Sequence, residues 1–251
     1  MNPASWLVRL SRPASDSPTL LICPHAGGGP MFYRELAAVL GDRLTVWAVN
    51  YPGRERQVRV PLPESLPALA DSVAQQAIWR LPGALVLLGH SMGAVVAHEV
   101  ARRLPDQVQA VIVSAHASPL AQRVDRGLHL ASDETLLQQV ESLGASPTGL
   151  LRHPEFGQYL LSVLRQDFQI TETHQPCTEP LDIPLVAYGG DQDLVAPPES
   201  LRSWERMTTA RFRWRIFPGG HFYFLGDLAA TATQLHHDVM WCLASSSCPP
   251  G

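Results

Sequence analysis

The sequence predicts an α/β fold: a mostly parallel sheet with helices on both faces. Three observations carry that expectation. The runs TLLIC, ALVLLG and VQAVIVS are almost continuously apolar, as strands become when helices cover both sides of a sheet. Such runs alternate along the chain with stretches of helical period. One of them passes through a glycine-flanked turn straight into an amphipathic helix.

Strands are expected over Thr19–Pro24, Leu44–Asn50, Ala84–Gly89, Val108–Ser114, Pro184–Tyr188 and Phe212–Phe217. Helical patterns fill the gaps at Met31–Leu40, Leu66–Leu81, Met92–Leu104 and Pro198–Met207, with a last one near Asp227–Leu243. In the third of these, Val95, Val96, Val100 and Leu104 recur at near-helical spacing and give one apolar face. From about 115 to 180 the rhythm breaks. Asp133–Leu143 and Glu155–Ile170 carry leucines at helical spacing, separated by SLGASPTG, and no strand is evident. A helical insertion is expected there, either a lid over an active site or a structural subdomain. The stretch SRPASDSP at 11–18 and the tail from Ser245 to Gly251 read as linkers or frayed ends. No internal repeat is visible, and residues 1–251 are expected to form a single domain with the insertion inside it.

Composition excludes several classes of function. An apolar fraction of 45% and a charged fraction of 17% suit a large core, unlike a disordered chain. A net charge of -4 predicts no general attraction to nucleic acid or anionic membranes. The first residues lack a basic segment followed by an apolar one, so no signal peptide is expected. No apolar run approaches the ~18 residues of a membrane span, and a cytoplasmic location is expected. Cys23, Cys177, Cys242 and Cys248 form no CxxC and are read as reduced thiols, not a disulfide scaffold.

The chemistry starts at Gly89-His90-Ser91-Met92-Gly93, between the strand ALVLL and its helix. A turn this tight leaves no room for side chains two residues either side of the serine. It strains the serine and presents its hydroxyl at the positive end of a helix. This is the nucleophile elbow of the α/β-hydrolase fold, with Ser91 as nucleophile. The context of strand and helix separates it from a structural turn that matches G-x-S-x-G by chance.

Pro24-His25-Ala26-Gly27-Gly28-Gly29 follows another strand and can turn backbone N–H groups toward a ligand. It contains neither GxxxxGK[ST] nor GxGxxG, so no nucleotide is expected, nor any metal or other cofactor. The backbone amides of Ala26 and Met92 are the candidate oxyanion hole. His25 is read as orienting its loop through a hydrogen bond, with a catalytic role as the alternative.

A serine hydroxyl needs a base. His221, in FPGGHFYF past the strand FRWRIF, lies at the same sheet edge as the elbow. His98, His236 and His237 fall within helical patterns, and His129, His153 and His174 within the insertion. The acid is expected between serine and histidine in chain order, in Gly189-Gly190-Asp191-Gln192-Asp193. Asp193 is preferred because it lies further around the turn, and Asp191 would then stabilise the turn through its own backbone. Arg54, Glu55 and Arg56 read either as a solvated surface loop or as residues that pack near the active-site mouth or meet acidic helices of a partner protein. Arg211, Arg213 and Arg215 alternate along a strand and read as a solvated edge.

Taken together, PHAGGG, NYPGRERQ, GHSMGAVVAHEVARRL, GGDQD and PGGHFYF span nearly the whole chain. They resemble the type II thioesterases that accompany nonribosomal peptide and polyketide synthetases, and within them the pyochelin-type siderophore members. The length and the short lead resemble a free-standing member. The resemblance implies hydrolysis of acyl or aminoacyl groups wrongly loaded on the phosphopantetheine arm of a carrier protein. It also implies that the insertion is a lid lining the acyl pocket, in a monomer without a cofactor. Many members have a proline after the second aspartate, where this chain has Leu194. A general carboxylesterase or lipase acting on small free esters is the alternative enzyme, and a pocket that binds without catalysis is the alternative outside enzymes.

Overall fold

The computed structural model describes residues 5–11, 17–81, 83–121, 127–144 and 153–244. Most of the stretch at 11–18, the tail 245–251 with Cys248, and the ASPTG end of the spacer in the insertion lie outside the described residues.

The described residues form a seven-stranded sheet: β1 (Leu7–Arg9), β2 (Thr19–Cys23), β3 (Thr45–Val49), β4 (Leu85–His90), β5 (Val108–Ser114), β6 (Leu185–Gly190) and β7 (Phe212–Phe217). Their order is β1-β3-β2-β4-β5-β6-β7. All neighbours are parallel except β1 and β3, which pair antiparallel with Leu7 opposite Val49. The edge strand β1 was not expected, because three residues are too few to display a period. Every residue of β4 and of β6 is buried, which is why alternation is missing from their sequences.

Helices α1 (Arg34–Leu40), α2 (Leu66–Arg80), α3 (Met92–Arg103) and α7 (Leu228–Ala244) cover the sheet. On one face Leu69 and Val73 of α2 pack with Val96 and Val100 of α3. On the other, Leu36 and Leu40 of α1 pack with Leu235 and Val239 of α7. Ser65 caps α2 by accepting the Ala68 N–H at 3.3 Å. The helix expected at 198–207 divides into a single α turn, α6 (Pro198–Leu201), and a 3-10 segment over Arg202–Met207. Leu201, Trp204 and Met207 recur every third residue and are all buried, a period that suits the tighter coil.

Between β5 and β6 lie a 3-10 turn at Leu128–Leu130, α4 (Asp133–Ser142) and α5 (Pro154–Glu172). They enclose a small core of Leu128, Leu136, Leu137, Leu161 and Leu164, against which Ala26 also packs. The insertion is fastened to the body behind α5, where His174 Nε2 meets the Glu99 carboxylate of α3 at 3.2 Å. No helix among the described residues is long and apolar enough to cross a membrane.

Arg211, just before the edge strand β7, is exposed, but Arg213 and Arg215 on the same side of the chain are only partly exposed and pack on α7. Arg215 donates to both oxygens of the buried Asp238, at 2.5 and 2.8 Å, and Arg213 donates to it at 3.3 Å. The guanidinium groups of Arg211 and Arg213 lie 4.1 and 3.9 Å from the centre of the Trp241 ring. Tyr188 also donates to Asp238, at 2.8 Å. Burial alone would raise the Asp238 carboxyl, but the bonds from Arg215 and Tyr188 outweigh it and hold the group below its ordinary value.

Asp238→Asn is expected to lower unfolding stability by about 1–3 kcal/mol at neutral pH, read as a shifted urea midpoint. The wild-type contribution is complete above the unfolded carboxyl value near ~3.9 and disappears as pH falls through the lower folded value. The variant therefore loses less stability than the wild type on acidification below about pH 4.

Candidate active site

The polypeptide turns sharply between β4 and α3. Ser91 has φ 55 and ψ -123, a region that residues with side chains rarely occupy. Its N–H donates to the Ser114 carbonyl at 2.8 Å, which ties the strained turn to β5. A Cβ on Gly89 would strike the Gly93 carbonyl, and one on Gly93 would strike the Cys23 carbonyl at the end of β2. The second glycine thus does more than permit the turn. It brings the start of α3 against the strand end from which the glycine-rich loop departs.

Asp193 and His221 meet beside this turn. His221 Nδ1 lies 2.9 Å from Asp193 Oδ2, and the two residues are 3% and 2% exposed. Asp193 Oδ1 accepts the N–H groups of Val195 at 2.8 Å and Ala196 at 3.2 Å. The carboxylate is held by backbone on one side and presents its other oxygen to the imidazole. Leu194, in the proline position, is 90% exposed. Asp191 is exposed and accepts the Gly219 N–H at 2.8 Å. It therefore clasps the histidine loop, not the backbone of its own turn. A Cβ on Gly190 would strike the carbonyls of Gly219 and Gly220, so the two loops touch backbone to backbone.

With Nδ1 engaged by a carboxylate, the tautomer that leaves Nε2 as the basic nitrogen is favoured. The His221 ring lies against that of His90, the residue before Ser91, with centroids 5.2 Å apart. No hydrogen bond joins Ser91 Oγ to His221 among the described residues; such contacts commonly tighten only in the substrate complex.

Two further imidazoles crowd the site. His25 Nδ1 is 2.9 Å from the Tyr33 hydroxyl, which also accepts the His25 backbone N–H at 3.4 Å. The hydrogen bond expected to orient the loop is therefore to Tyr33. Burial, aided by the charges of His221 and Arg54, pushes His25 down to about 3, and burial also holds His90 well below its ordinary value. Both remain neutral at physiological pH. A chain from His90 Nδ1 to Ser114 Oγ (2.9 Å) and on to the Tyr223 hydroxyl (2.8 Å) fixes the ring beneath the elbow. Sequence reasoning missed this chain, because nothing in the spacing of three distant polar residues signals it. Three other histidines are engaged away from the site. His98 packs on Trp204, His129 meets Glu172 and His174 meets Glu99.

Within the glycine-rich loop the Ala26 amide is unclaimed among the described residues. Gly27 N–H donates to Asp167 at 2.7 Å and Gly28 N–H donates to the His25 carbonyl at 2.9 Å. Between His25 and Gly28, only Ala26 N–H lacks a partner among the described residues. Met92 opens α3, so its N–H has no partner within the helix. Arg54 is not a solvated loop residue: it is 6% exposed and paired through both terminal nitrogens with Asp167, at 2.8 Å each. Glu55 is exposed and accepts the Met31 N–H at 3.0 Å, while the Arg56 side chain is exposed. Asp167 was not singled out from the sequence. The available signal was an acidic residue on the face of α5 that also buries Val163, Leu164 and Ile170. No group of three or more His, Cys, Asp or Glu among the described residues could hold a metal ion.

Residues 18–239 match the thioesterase domain family. The chain is 32% identical over 236 residues to a probable cadicidin biosynthesis thioesterase of Streptomyces griseus, covering 92% of this chain and 65% of that one. It thus spans just under two thirds of that relative's length. It is 34% identical over 226 residues to thioesterase PikA5 of Streptomyces venezuelae, covering 87% of this chain and 79% of that one. Among solved structures, the type II thioesterase BorB from the borrelidin biosynthetic cluster superposes with a TM-score of 0.83 at 33% identity, covering 93% of this chain and 97% of that one. The sheet and its helices therefore form an α/β-hydrolase fold.

Replacing each aspartate in turn separates their roles. Asp193→Asn is expected to lower kcat by about 10³–10⁴-fold, through loss of the imidazole tautomer and of the charge that stabilises imidazolium. Asp191→Asn is expected to leave kcat close to wild type, as steady-state kinetics on an acyl thioester will show.

Proposed function

The chain belongs to the thioesterase domain family, and from that premise we propose that it cleaves aberrant acyl and aminoacyl groups from the phosphopantetheine arm of carrier proteins, by a Ser-His-Asp acyl-enzyme route. The observation that carries the reading is the buried His221–Asp193 pair beside the strained Ser91 turn, with an unclaimed Ala26 amide on the neighbouring loop.

In this mechanism Ser91 Oγ attacks the thioester carbonyl while His221 Nε2 takes the hydroxyl proton. Asp193 stabilises the resulting imidazolium. The Ala26 and Met92 amides receive the negative charge that develops on the carbonyl oxygen. The intermediate collapses with loss of the C–S bond, and His221 returns its proton to the departing sulfur. The free pantetheine thiol leaves an ester on Ser91. A water molecule, deprotonated by the same imidazole, then attacks that ester and releases a carboxylic acid with the serine restored. No cofactor takes part. His25 and His90, held neutral by burial, leave His221 as the imidazole that collects the proton.

The insertion at about 115–180 serves in this proposal as the lid and the wall of the acyl pocket, a role supported by the packing of Ala26 against its core. The protein works as a monomer in the cytoplasm, with the carrier protein as its macromolecular partner.

Catalytic efficiency on an acyl group loaded on a carrier protein is expected to exceed that on a nitrophenyl ester of the same acid; a strong preference for the free ester would instead identify a general esterase. Ser91→Ala should lower kcat by about 10⁶-fold. It should also abolish labelling by a fluorophosphonate probe, and equal labelling of the variant would remove Ser91 from the mechanism.

A further inference from the structure

Asp167 lies on α5, in the insertion, yet its carboxylate reaches into the glycine-rich loop. Oδ2 accepts the Gly27 N–H at 2.7 Å and Arg54 Nη1 at 2.8 Å, while Oδ1 accepts Arg54 Nη2 at 2.8 Å. Arg54 Nη1 also faces the Gly28 carbonyl at 3.3 Å, and its Nε donates to the Pro52 carbonyl at 3.2 Å. Asp167 is 0% exposed. Three segments distant in sequence therefore meet at one ion pair: the loop after β2, the loop after β3 and the insertion.

We propose that Asp167 and Arg54 are positioning residues that hold the Ala26 amide in place for the oxyanion. The inference rests on the role given above to Ala26. Three successive glycines, Gly27 to Gly29, make this loop conformationally soft. An oxyanion hole works only if its donors are fixed before charge develops. The peptide next to the Ala26 amide is fixed from outside the loop, by a charge-assisted bond from Gly27 to a buried carboxylate. A lone buried carboxylate would be costly to desolvate and would repel an oxyanion forming nearby. Arg54 removes both penalties by pairing with it and also grips the next carbonyl of the loop. The pair thus supplies rigidity without adding net charge to the site.

Asp167→Asn keeps the volume and one acceptor oxygen but loses the charge. It is expected to lower kcat by about 10- to 100-fold, short of the ~10²–10³ seen when a donor is lost outright. KM for a short acyl thioester should stay within about twofold, because the missing interaction is made mainly in the transition state. Affinity for an alkyl boronic acid, which mimics the tetrahedral adduct, should fall in step with kcat/KM, while affinity for a non-hydrolysable thioether does not. A purely structural role would lower the melting temperature without that split. Unchanged kcat and boronate affinity in the folded variant would overturn the proposal. In the wild type the Gly27 amide proton should exchange slowly with deuterium and resonate downfield, a readout that serves even if the variant does not fold. A fast-exchanging Gly27 amide in a wild-type protein that cleaves thioesters overturns this proposal alone. A wild type that cleaves none overturns the hydrolytic reading and this one with it.

Discussion

A serine held at φ 55 and ψ -123 is the constraint around which the molecule is arranged. Such a backbone conformation costs about 1–3 kcal/mol and persists only where its surroundings leave no alternative. Here β4, buried along its whole length, enters the turn from one side, and α3, packed on the sheet, leaves it on the other. The hydrogen bond from Ser91 N–H to Ser114 ties the turn to the next strand. The two flanking glycines let carbonyl groups occupy the space where Cβ atoms would stand. The large core is therefore connected to the chemistry directly: it overdetermines a turn that a weaker framework would relax.

Electrostatics makes a second contribution. Three imidazoles lie within about one ring of each other, His25 to His90 at 6.0 Å and His90 to His221 at 5.2 Å. Protonating all of them in so small a space would be unfavourable. Burial keeps His25 and His90 neutral, and the carboxylate at Asp193 is supplied to the third alone. The same economy recurs at Asp167 and Arg54, where a buried negative charge is admitted only with its counter-charge.

Much of this was legible in the sequence. The apolar runs and the glycine-flanked serine specify the central sheet and the elbow, because burial on both faces and steric exclusion leave direct marks on residue type. The order of serine, acid and histidine locates the strand ends and fits both Asp191 and Asp193. The reach of the turn favours Asp193, and the side chains point one to Gly219 and the other to His221. β1 was hidden by its shortness. The arginines of β7 were misread because alternation reveals that they share a face, not what covers it, and Asp238 lies more than twenty residues further on. Arg54 and Asp167 stand 113 positions apart, a separation at which no local pattern can announce a pair.

Cys23 closes β2 immediately ahead of the glycine-rich loop and is fully buried. Burial pushes its thiol up to about 12, against a smaller opposing influence from Tyr51. An enzyme that liberates a thiol at every turnover risks becoming trapped in a mixed disulfide with its own product whenever a reactive sulfur lies close by. Kept protonated and out of solvent, this sulfur at the end of β2 is a poor partner for such exchange and is protected against oxidative capture.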